Sequence, residues 1–200
     1  IGKEEINAAM RVLESGCLSK YIGSKGEDFM GGEEVNKFEN AAAKLFNVKY
    51  AIAVNSWTSG LITSIGAIGI EPGDEVIVTT WTMTATATAI LHWNAIPVFA
   101  DIDPETFNID PKDVEKKINE KTKAVIAVDI FGQSCNLNAL KEITEKYNLK
   151  LITDSAQAPG SFYNSKMTGT EADIGGFSLN YHKHIHCGEG GLIVTNDKDL

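Results

Sequence analysis

The sequence predicts an α/β fold, a mostly parallel sheet with flanking helices. Short apolar runs rich in β-branched residues alternate with stretches of helical spacing, and Pro, Gly and Asp turns join them. Polar residues follow directly on several of the apolar runs, as they do where strands end beneath a binding cleft.

Apolar residues at Ile6, Ala9, Met10 and Leu13 recur with the helical period, as do Val35, Phe38, Ala42 and Leu45, and then Leu137, Leu140, Ile143 and Tyr147. Residues 18–32 are rich in glycine and follow neither period, which predicts a loop. Buried strands are expected at 50–54, 75–79, 96–100, 124–130, 149–153, 174–179 and 192–195. Turns are expected at Glu71-Pro72-Gly73-Asp74 and at Asp110-Pro111. No repeat or low-complexity stretch interrupts the pattern, so residues 1–200 read as one domain. The first residue is not Met, and the last strand-like run passes into the start of a helix, so a piece of a longer protein is expected.

Composition narrows the function classes. At 43% hydrophobic and 22% charged, the chain has the makeup of a folded domain. Its 18 basic and 27 acidic residues sum to −9, with lysines scattered among acids, which argues against nucleic acid. No apolar run is long enough to span a bilayer, and the first residues are charged and amphipathic, unlike a signal peptide. Cys17, Cys135 and Cys187 are odd in number and widely spaced, as thiols of a reducing compartment are. A cytoplasmic protein is expected.

Candidate chemistry lies in the polar residues that end the runs: 55–59, 80–82, 154–157 and 178–183. Asp154 and Gln157 would share one side of a helix beginning there, and a simple N-cap is the plain alternative for Asp154. Lys183 lies between His182 and His184, just before a glycine-rich turn and a strand, whereas a lone lysine is ordinarily a solvated charge.

Four segments in order carry a family resemblance: VNSWTSGL with EPGDEVIV, TWTMTATATAI with IPVFADIDPETFNID, ITDSAQAPG, and DIGGFSLNYHKHIHCGEGGLIVTND. From about Glu33 onward the chain resembles the DegT/DnrJ/EryC1/StrS group of sugar aminotransferases. The resemblance implies the large domain of a fold-type I enzyme that uses pyridoxal 5'-phosphate, with the group's C-terminal small domain missing. It makes Lys183 the Schiff-base lysine, sets Asp154 against the pyridine nitrogen and Gln157 near the ring hydroxyl, and gives Trp81 the ring-stacking place. Thr58, Ser59 and Ser178 take the phosphate positions. It further implies an amino-acid donor, glutamate or glutamine, a keto sugar nucleotide as acceptor, and a homodimer with shared sites.

These residue types suit the chemistry. A lysine amine can capture an aldehyde and later move a proton. A carboxylate beside a ring nitrogen favours its protonated, electron-withdrawing form. Hydroxyls at a helix start suit a phosphate dianion.

Some positions invite other readings. Trp57 stands where the group commonly has glycine, and either packs or lines the substrate entrance. His182 and His184 are candidate substrate contacts; together with His186 they could suggest a metal site, but the further ligand and second shell that zinc needs are not indicated, so no metal is expected. Cys187 reads as a loop thiol. A sugar dehydratase on the same scaffold is the competing enzyme, although in such relatives histidine takes the position of Lys183. A regulatory relative without catalysis would have lost cofactor contacts, and Asp154, Gln157, Ser178 and Lys183 are all present.

Overall fold

The structure, a computed structural model, describes residues 1–21, 23–26 and 29–200. Its contacts divide the chain into two compact units, Ile1–Ala41 and Ala42–Leu200, where the sequence reads as one domain.

In the first unit α1 spans Lys3–Ser15 and ends on Gly16, whose left-handed φ of 68° lets its N–H return to the Leu13 carbonyl. The helical period is correct, but Ile6, Met10 and Leu13 are all exposed, so the apolar stripe of α1 covers no core. Residues 18–32 carry neither helix nor strand among those described; Ile22, Glu27 and Asp28 of that expected loop lie outside the described residues. Helix α2, Glu33–Phe46, starts in this unit, where Lys37 pairs with Glu33 and Glu34 across one turn.

The second unit is built on a sheet. Its strands are β1 (Tyr50–Val54), β2 (Glu75–Thr79), β3 (Ile96–Ala100), β4 (Thr122–Val128), β5 (Lys150–Asp154), β8 (Ile174–Ser178) and β9 (Gly191–Thr195), in the order β1-β9-β8-β5-β4-β2-β3. Only β9 runs against its neighbours. Between β5 and β8 the short strands β6 (Phe162–Tyr163) and β7 (Lys166–Met167) form a hairpin over Asn164 and Ser165, both at positive φ.

The helices are α3 (Trp57–Ala67), α4 (Thr84–Leu91), α5 (Pro111–Lys117) and α6 (Leu137–Tyr147). Alternation along each strand sends side chains to opposite faces. Val76, Val78, Ala124, Ile126 and Ile152 meet Leu61 and Ile65 of α3 and Ile90 of α4 on one side. Ile77, Val125, Ala127 and Leu151 meet Val114 of α5 and Leu137, Leu140 and Ile143 of α6 on the other. Each fully buried Val, Leu or Ile among them contributes about 1.5–3 kcal/mol. Two parallel-sheet faces thus need two helix layers, and the expected α/β architecture results.

Four expectations need correction. β1 and β3 are edge strands and only partly buried, and Pro97, which has no N–H to donate, is tolerated on β3 because an edge strand has a ladder partner on one side only. Asp110-Pro111 opens α5: the Asp110 carboxylate accepts from the Lys112 N–H, and Pro111 takes the first helical position, where no N–H is needed. No helix begins at Asp154, since residues 155–160 form turns; Pro159 lacks the helix donor and biases Ala158 away from helical angles. After β9 the chain turns and starts no helix within the residues present.

Candidate active site

The carboxyl ends of β1, β2, β5 and β8 open into one cleft, as expected for an open parallel sheet. Its floor is Asp154, the last residue of β5. Asp154 is 5% exposed and accepts three hydrogen bonds, from Trp57 Nε1 to Oδ1 at 2.6 Å, from Thr86 Oγ1 to Oδ2 at 2.8 Å, and from the Ala156 N–H to Oδ1 at 3.2 Å. Burial pushes its carboxyl above the usual range, and the hydrogen bonds from Thr86, Trp57 and Ala156, with the Lys183 charge, oppose that rise. A carboxylate so deep, facing a cleft and capping no helix, is not the simple N-cap.

Trp57 is the first residue of α3 and only 4% exposed. Its ring packs on Gly60 and Gly176 beneath the cleft, so the entrance role considered for it does not match its place. The physical reason is the indole N–H, which needs a buried acceptor and finds Asp154.

Ser56, within the candidate run 55–59, is the N-cap of α3, its Oγ accepting from the Ser59 N–H at 3.1 Å. That bond, with a further one between the two hydroxyls, turns Ser59 to the cap, and it does not line the cleft; Thr58 does. Thr58, in the first turn of α3, and Ser178, at the end of β8, both line the cleft. Gln157 also lines it and accepts the Phe131 N–H on Oε1 at 2.8 Å, which orients its amide N–H2 as the remaining donor.

Lys183 follows β8 on a loop that doubles back into β9. Asn180 holds that loop, its amide donating to both Glu189 oxygens at 2.8 and 2.9 Å, while its carbonyl accepts the Lys183 N–H at 2.9 Å. Within 181–189 every residue is exposed except Lys183, which is half-buried on the cleft wall. It is not an ordinary solvated lysine. His182 also reaches the wall, whereas His184 and His186 stay outside it. No group of three or more metal-ligating side chains occurs among the described residues. The Cys187 sulfur lies against the loop, and the cost of desolvating its thiolate there, with Glu189 nearby, pushes its thiol up, away from nucleophilic use.

Trp81 is not brought in: it is 48% exposed and tilts against Phe107, with ring centroids 6.2 Å apart. Sequence reasoning missed Thr86, the partner of Asp154. Nothing in the alternating Thr and Ala residues of TATATAI marks which threonine turns inward.

Residues 1–200, the whole chain, match the profile of the DegT/DnrJ/EryC1/StrS aminotransferase family. The chain belongs to this family. It is 43% identical to GDP-perosamine synthase of Escherichia coli O157:H7 over 185 residues, covering 92% of this chain and 49% of that protein. The solved aminotransferase from Psychrobacter cryohalolentis superposes with a TM-score of 0.91 at 34% identity, over 100% of this chain and 48% of that one. The Escherichia coli GDP-4-keto-6-deoxy-D-mannose-3-dehydratase, solved with bound hydrated PLP, gives 0.88 at 29% identity, over 99% and 50%. The chain spans about half the length of the curated relatives it matches. Among the described residues no helix is long and apolar enough to cross a membrane.

Proposed function

We propose that this chain is the cofactor-binding portion of a pyridoxal-phosphate-dependent aminotransferase that moves an amine from glutamate or glutamine to a keto sugar carried on a nucleotide. The carrying observation is the pairing across one cleft of a half-buried lysine amine, Lys183, with a buried, three-fold hydrogen-bonded carboxylate, Asp154. Family membership and the nucleotide-sugar relatives support the substrate class.

The residues present fit the cofactor. Pyridoxal phosphate, when bound, supplies an aldehyde that takes up an amine and a ring that withdraws electrons from the substrate carbon. Asp154 holds negative charge against the ring nitrogen. Gln157, its Oε1 already engaged by Phe131, offers N–H to the ring oxygen. The α3 N-terminus with the Thr58 hydroxyl, and the Ser178 hydroxyl, bind the phosphate; Ser59 contributes by holding the cap. Lys183 Nζ would be the amine that holds the aldehyde carbon, with water as the leaving group, and, once released, the base that moves a proton at the substrate carbon. His182, on the wall beside it, contacts the acceptor, while His184 and Trp81 take part only by turning toward the cleft.

By likeness to the family the working enzyme is a cytoplasmic homodimer of longer chains with shared sites. Lysine at position 183 favours amine transfer over the dehydration named for one structural neighbour. The test incubates the full-length enzyme with a panel of nucleotide keto sugars, with glutamate and with glutamine. Amino-sugar product matched to consumed donor is expected; deoxygenated sugar without net amine transfer would overturn the assignment.

A further inference from the structure

The Trp57 indole is seated in a slot that three elements keep open. A Cβ on Gly60 of α3 or on Gly176 of β8 would run into its six-membered ring, and one on Gly191 of β9 would meet the backbone of Ser56 and Trp57. Side-chain-free positions at all three sites let the ring lie flat under the cleft floor and bring Nε1 to 2.6 Å from Asp154 Oδ1. A carboxylate has about four acceptor positions. Trp57 and Ala156 use the two on Oδ1, and Thr86 uses one of the two on Oδ2. One acceptor position is left, on Oδ2.

We propose that Trp57 is a positioning residue: its indole N–H fixes the Asp154 carboxylate so that Oδ1 is fully engaged and Oδ2 alone is presented to the cofactor ring nitrogen, and it holds that carboxylate in the charged form. The inference rests on the cofactor reading above and adds a residue and an atom to it. The groups that bear on the charge of Asp154 are few. Asp129, at the end of the adjacent β4, opposes it, and Lys183, from the loop after β8, favours it; α3 and α4 contribute Trp57 and Thr86, which do not titrate in the working range. Deep burial makes the charged form costly, so the loss of one of three donors acts directly on the proton affinity of Asp154.

The test removes the N–H and keeps the ring. Position 57 of the full-length chain is replaced by the benzothienyl analogue of tryptophan, with sulfur in place of N–H, and separately by phenylalanine. The cofactor-free protein is titrated by infrared spectroscopy, following the protonated-carboxyl band that Asp154→Asn abolishes. A rise in its midpoint of about one pH unit, tenfold in proton affinity, is expected in both variants. In the cofactor-loaded enzyme the acid limb of kcat moves the same way, with KM for the amino donor unchanged. An unmoved midpoint in the benzothienyl variant overturns the proposal whether or not the phenylalanine variant folds. The titration needs no cofactor, so failure of the wild-type enzyme to bind pyridoxal phosphate would refute the cofactor reading separately.

Discussion

The two walls of the cleft are built on opposite plans. Asp154 closes a central strand, is buried, and has its carboxylate held by side chains from two helices and by the next turn. Lys183 sits on a loop of exposed residues, and no hydrogen bond or ion pair holds its amine among the described residues. A group that supplies fixed charge is best preorganised, since any reorientation during reaction costs energy. A group that must bond to carbon and then carry a proton has to stay free to move. The difference in support suits the different tasks proposed for the two groups.

Breaking each wall should therefore have a different signature. Lys183→Ala is expected to lower amine transfer by about a thousandfold or more, while the melting temperature stays nearly unchanged, because a half-buried loop side chain contributes within about 0.5 kcal/mol. Activity assays alongside a melting curve check both halves. Asp154→Ala should cost about a hundredfold in kcat and also destabilise by about 1–3 kcal/mol, because the Trp57 and Ala156 N–H donors are left buried without their acceptor. Denaturant titration reads this; equal stability would mean the donors around Asp154 are loosely held.

Asp129 sharpens the same comparison from the next strand. It is buried at the end of β4, and burial pushes its carboxyl up to about 6, against hydrogen bonds from Ser155 and Cys135. Since its folded value lies above the ordinary 3.8, the folded state binds more protons between about 4 and 6, and stability falls as pH rises through that window. Asp129→Asn should remove that slope, raising stability near neutral pH by roughly 2–3 kcal/mol while leaving it unchanged below about pH 4. Melting curves across the window decide it; an unchanged slope would place the acid dependence elsewhere. The smallest effect compares loop neighbours. His182→Ala should raise KM for the keto sugar a few-fold, and His184→Ala, off the cleft wall, should leave both kinetic constants within about twofold.

Much of this arrangement could be read from the sequence because strand ends and polar residues coincide there. Of the central strands, β5 and β8 are apolar runs closed by Asp154 and Ser178, β4 ends just before Asp129, and each falls within about two residues of its expected bounds. Helix α3 was legible only at its start, where Thr58 and Ser59 read as opening a helix, and α4 not at all: both lack a clear apolar stripe, and the Thr-Ala alternation of Thr84–Leu91 mimics a strand period. Helix α5 was hidden by Asp110-Pro111, which serves equally as a turn or as an N-cap with its first helical residue. At the site, Asp154, Gln157, Ser178 and Lys183 could be found because each ends a strand or lies in the loop after one. Thr86 and the exact role of Trp57 could not, because their parts depend on which side chain reaches a carboxylate distant in sequence.

The central claim, one cofactor held between an unanchored amine and a fixed carboxylate, is tested most directly by borohydride reduction of the purified full-length protein followed by peptide mass spectrometry. The account predicts a reduced pyridoxyl phosphate adduct on Lys183, formed in wild type and retained at lower yield in Asp154→Asn. An adduct on another lysine, such as Lys166, or none at all, would contradict it.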